Sequence, residues 1–132
     1  LDYTQVTAEI KGEAQAEANY YLAHFEYVQS KYEASNERIF WMIDNLPTYP
    51  QWRWKSLLLM AKNYAGLQDD FQANYTLDYI IDNAEGAIVG EAQQFKSDLT
   101  RRRAAEEAQA QISDTLEVAP TEMEELEELD QE

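Results

Sequence analysis

Shifted against itself by 38 residues, the sequence places Ile43–Asp44–Asn45 on Ile81–Asp82–Asn83. The same shift sets Leu22–Ala23 on Met60–Ala61, Ile39 on Leu77, Met42 on Ile80 and Ser35 on Ala73. Helix breakers agree as well, since Gln29–Ser30 overlies Leu67–Gln68 and Pro47 overlies Glu85, next to Gly86. Chance can match one tripeptide. Matching the breakers at the same offset implies an internal duplication, which restricts the chain to a fold built by stacking two copies of one small unit.

The spacing of apolar residues says what that unit is. Ala14, Ala18, Tyr21, Leu22, Phe25 and Val28 recur at three and four, which predicts a helix over about 7–29 with one apolar stripe. Ser30 and Glu33 have the spacing of a capping box, so a second helix is expected from there until Pro47 and Pro50 stop it. Trp54, Leu57, Leu58, Ala61, Tyr64 and Ala65 define a third helix, with Gly66 the expected left-handed residue at its end. Asp69 or Asp70 can cap a fourth, carrying Ala73, Leu77, Ile80, Ile81 and Ala84 to Gly86. A fifth, about 87–109, has Ile88, Ala92, Phe95 and Leu99 on one face. The expected class is all-α: antiparallel helical hairpins stacked as a solenoid, divided into a lead-in (1–13), two units (14–47 and 48–86), a capping helix (87–110) and an acidic tail (111–132).

Where two helices cross, small residues let the axes approach to about 8–10 Å. Ala23 and Ala61 are expected at the crossings with Ser35 and Ala73 opposite, flanked by Leu22, Met60, Ile39 and Leu77. Met42 and Ile80 would reach toward the neighbouring unit.

Composition narrows the functions. The chain has no cysteine and one histidine, His24, which removes cysteine zinc sites, thiol nucleophiles and any intramolecular site that needs two imidazoles. No cofactor or metal is expected. Formal net charge is −16, and nine acids between 111 and 132 face no Lys or Arg there. Such a surface repels nucleic acid and anionic headgroups, and no stretch approaches the roughly 18–20 apolar residues of a membrane span. The tail buries too little apolar surface to offset its ordering entropy, so it is expected to be disordered.

On these residues the sequence resembles the tetratricopeptide-repeat family. The marks are Leu22–Ala23, Tyr32, Ser35, Ile39, Met42 and Pro47 in the first unit, and Met60–Ala61, Tyr64, Ala73, Leu77 and Ile80 in the second. The offset of 38 is longer than the family's usual step, and Glu26 and Glu85 stand where an aromatic and a proline are common. Residues 52–61 and 69–73 are similar to the carboxy-terminal part of long repeat proteins in the envelope of Bacteroidota. The resemblance implies a non-enzymatic scaffold for protein–protein interaction, the end of a longer repeat protein in the cell envelope; a cytoplasmic location is the alternative. It also implies a concave face made by Glu17, Tyr20, His24 and Tyr27 with Lys55, Leu58 and Lys62.

Tyr and Lys side by side suit a protein or peptide partner that carries carboxylates. The competing reading makes Lys55 and Lys62 a solvated stripe, with the tyrosines closing the hairpin edge. Trp41, Trp52, Trp54 and Tyr49 are expected to pin the connection between the units. The amino-terminal edge, Tyr21 and Phe25, is expected to support self-association. Two rival functions are an acidic-tail module that binds basic partners and a hydrolase using two carboxylates. Asp114–Thr115–Leu116 resembles a short O-glycosylation motif, which intact mass of native protein tests.

Overall fold

The structure, a computed structural model, describes the backbone of residues 3–130 and the side chains of residue 5 and of residues 10–116. It is all-α: α1 (Tyr3–Val28), α2 (Tyr32–Asn45), α3 (Pro50–Gly66), α4 (Asp70–Asn83) and α5 (Ala87–Asp130). No strand occurs among the described residues. Contacts divide the chain into two units, residues 1–96 and 97–132.

In the first unit α1 packs on α2 and α3 on α4, while α3 also touches both α1 and α2. Ala23, Ala61, Ser35 and Ala73 are all fully buried, as helix crossings of close approach require. At the first crossing the Ser35 hydroxyl donates to the Ala23 carbonyl at 2.7 Å. Ile39, Leu77 and Ile80 are completely enclosed, Met42 is buried, and Ile43 and Ile81 both pack half-buried on the same core. Ile88, Ala92 and Phe95 of α5 join that core.

Helix ends reproduce the offset. α2 and α4 have 14 residues each and begin and end 38 positions apart. α1 and α3 end in the same six-residue motif: Lys31 N donates to Glu26 O and Ser30 N to Tyr27 O, as Asp69 N does to Tyr64 O and Gln68 N to Ala65 O. The left-handed residues are therefore Ser30 (φ 62°) and Gln68 (φ 63°). This corrects two expectations. Ser30 cannot act in a capping box, because its backbone already terminates α1; Lys31 is the α2 N-cap, with no side-chain cap bond. Nor is Gly66 the left-handed residue, for it is the last residue of α3.

Gly66 answers a different need. A Cβ there would stand 2.6 Å from Cζ of the Tyr32 ring, which lies on the helix. We expect Gly66→Ala to displace that ring and lower the thermal midpoint measured by circular dichroism. Made in a chain that already carries Tyr32→Ala, the same glycine substitution should have most of its effect removed.

Other ends follow local chemistry. Leu46 is extended because Pro47 follows it, and Pro50 sits in the first turn of α3, where no amide partner is lost. Asp69 caps α4 by accepting from Gln72 N at 3.2 Å.

Two larger differences from expectation concern α1 and α5. The apolar stripe of α1 is the exposed one: burial goes to Ala16, Tyr20, Ala23 and Tyr27 on the opposite side, and Leu22 does not flank the crossing. Helix α5 does not stop near Gln109; its backbone is helical to Asp130, through most of the acidic segment expected to be disordered. Residues 97–116 favour this by composition, being rich in Ala, Arg, Glu and Gln, and by the ion pairs Asp98–Arg101 and Arg103–Glu106 one turn apart. Leu126 and Leu129 lie outside the residues whose side chains are described, and residues 1, 2, 131 and 132 outside the described chain.

Candidate functional site

Two surfaces of the first unit have the chemistry of contact. The first runs across α1 and α3. Positions 20, 24 and 27 share a helical face, and their rings form a chain: Tyr27 to His24 with centroids 6.0 Å apart, His24 to Tyr20 at 6.3 Å, Tyr20 to Trp52 at 5.8 Å. Tyr32 extends it by 5.9 Å from Tyr27. At the other end Lys55 Nζ lies 5.0 Å from the centre of the Trp52 ring, and Lys62 Nζ lies 5.8 Å from that of Phe95. These cation–π contacts hold both ammonium groups against aromatic rings.

The structure thus brings together Tyr20, His24, Tyr27 and, through Trp52, Lys55. Lys62 stands apart on Phe95, and Glu17 is exposed. Leu58 is buried within the core and supplies support rather than surface. Tyr32 and Phe95, both half-buried, extend this face, and the buried Trp52 backs it; spacing in the sequence missed all three. The signal for Trp52 was its position one turn before Lys55. The four aromatics do not gather at the connection as expected: Trp41 is exposed and Trp54 packs at a tilt against Tyr79, leaving Trp52 and Tyr49 beside residues 46–48.

Burial pushes the Tyr20 phenol above its ordinary value of 10.0, and the neighbouring Tyr21 and Glu91 add to the shift. Tyr64 moves the same way, by burial and then by Asp69. A phenol that keeps its proton longer in the fold than in the unfolded chain contributes stability present below pH about 10 and lost as pH rises through the folded value. Tyr20→Phe is expected to flatten the alkaline decline in urea midpoints between about pH 9 and about pH 11.

The second surface is the α1 stripe. Residues 38 positions apart meet opposite fates: Tyr21, Leu22 and Phe25 are 55%, 49% and 60% exposed, whereas Leu59, Met60 and Asn63 are 3%, 5% and 0% exposed. The difference is α2. Asn63 Nδ2 donates to Ser35 Oγ at 2.8 Å and to Asn36 Oδ1 at 2.9 Å, so the α3 face is filled by α2. Ile10 and Val28, both 64% exposed, continue the bare stripe along α1.

Recesses also open on the first unit. One of about 30 Å³, walled by Met42, Pro47 and Tyr49 among others, adjoins Trp52 and Ser56, whose buried Nε1 and Oγ have no hydrogen-bond partner among the described residues. That volume suits a water molecule rather than a ligand. An open cleft of about 540 Å³ lies among Gln51, Trp54, Asn83, Glu85 and Glu91. No described helix is long and apolar enough to cross a membrane. Neither a family model, nor a curated protein, nor a solved structure matches this chain.

Proposed function

We propose that this protein is a non-enzymatic helical-repeat scaffold of tetratricopeptide type, which holds other proteins through its helix faces. The observation that carries the reading is the unequal fate of the two equivalent faces. α3 is covered by a helix, whereas α1 presents the same stripe, more apolar still, to solvent. Contiguous exposed apolar surface of this kind marks interaction sites. The aromatic chain with Lys55 offers a second contact face, suited to a peptide bearing carboxylates. A location in the cell envelope belongs to the same proposal and rests on the resemblance of residues 52–61 and 69–73; fractionation of the native source tests it.

A photo-reactive residue placed at Leu22, and separately at His24, tests the scaffold reading in native extracts. A discrete protein adduct from at least one position is expected, and it should survive deletion of the chain after Gln111. An adduct lost on that deletion would favour the acidic segment as the binding element. Absence of any adduct from both positions would overturn the scaffold reading.

A further inference from the structure

The small recess and the open cleft occupy the same place in successive copies of the repeat. Ala16, Pro47, Tyr49 and Arg53 border the recess, and the residues 38 positions on, Trp54, Glu85, Ala87 and Glu91, border the cleft. In the earlier copy the chain fills this place itself. Tyr49 reaches from the connection between the helix pairs to α1, where a Cβ on Gly12 would collide with its hydroxyl, and about 30 Å³ remains. In the later copy Ala87 stands for Tyr49 and Pro50 for Gly12. No ring crosses from that position, and the cleft measures about 540 Å³.

The walls change in charge as well as in size. Glu91 replaces Arg53 and Glu85 replaces Pro47, so a border that was cationic becomes a pair of carboxylates. Both glutamates are exposed, and neither has an ion-pair partner among the described residues. Lys55 also borders the cleft, but its ammonium lies against the Trp52 ring. Trp54 replaces Ala16 and adds an indole wall, half-buried, its centroid 5.9 Å from that of Tyr79. An aromatic face beside two carboxylates selects a flat cation, because the indole attracts positive charge and the carboxylates match the guanidinium fork. An ammonium lacks the plane. A phenol, which would copy Tyr49, lacks the charge.

We infer that this cleft binds an arginine side chain of a partner protein, laid against Trp54 and paired with Glu85 and Glu91, in the place that Tyr49 takes in the earlier copy. The inference rests on the scaffold reading and adds to it a contact of opposite charge preference to the Lys55 face. The formal charge of −16 draws a basic segment toward the chain as a whole, and the cleft gives one side chain of that segment a fixed seat.

The test titrates the full chain with acetyl-arginine methylamide, and with its lysine, glutamine and tyrosine analogues, while the Trp54 indole N–H is followed by NMR. The arginine compound is expected to shift that signal saturably and to bind at least about fivefold more tightly than each analogue. Glu85→Gln with Glu91→Gln should weaken it at least about fivefold. Ala87→Tyr, which restores the side chain of the earlier copy at an exposed position, should abolish the shift with the circular dichroism spectrum unchanged; if that variant does not fold, the glutamate pair decides. Absence of a saturable shift, equal binding of the lysine or glutamine compound, tighter binding of the tyrosine compound, or arginine binding that persists undiminished in a folded variant would each overturn the inference. Persistence would assign the arginine to the acidic segment instead. Adducts at Leu22 or His24 in extracts report on the scaffold reading without this cleft, so the two fail separately.

Discussion

Leu77→Ala is expected to lose about 2–5 kcal/mol of stability, because the side chain is fully enclosed and the surrounding helices can close over the gap only in part. In a chain of this size the thermal midpoint should fall on the order of 10 °C. Ile39→Ala, at the equivalent place in the first helix pair, should behave alike. A sharper comparison pairs Met60→Ala with Leu22→Ala. These positions are 38 apart and both carry large apolar side chains, yet the first should cost about 2–5 kcal/mol and the second about 0.5 kcal/mol. Chemical denaturation distinguishes them. A similar loss at both would mean that Leu22 is covered, and would remove the basis of the interaction face.

Asn63→Ala is the second large effect. It deletes two hydrogen bonds and leaves the buried Asn36 oxygen without its donor, so a loss of about 2–3 kcal/mol is expected. Asn36→Ala combined with Asn63→Ala should cost less than the two single changes added, since no stranded amide remains. Strict additivity in that cycle would show that the bonds carry no coupling.

The helices and their crossings were legible because periodicity and small residues act through local helix geometry, and the same burial recurs 38 positions apart at Ala23 and Ala61 and at Ile39 and Leu77. Ala23, Ile39, Ala61 and Leu77 could be placed for that reason. Three things were not. A positive φ at Ser30 and Gln68 leaves no signature in residue type, since glycine, the usual choice, was available at Gly66 and stands two residues before Gln68. The polar clamp at Asn63 hides within an apolar-looking helix, and only its partners on α2 make a buried amide tolerable. Finally, the α1 stripe was legible as apolar but not as bare, because periodicity reports which side of a helix seeks burial and not whether anything arrives to cover it. For the contact face across α1 and α3, spacing found Tyr20, His24, Tyr27 and Lys55, whereas Trp52 needed the approach of two helices to join them.

The hydroxyl of Ser35 commits its proton to the Ala23 carbonyl, and its lone pairs are thereby turned toward Asn63. One hydroxyl thereby ties three helices together, since the bond that closes α1 on α2 leaves the same oxygen placed to accept from α3. Ala73 stands at the corresponding place of the second pair, so α4 has no hydroxyl there to hand on in the same way.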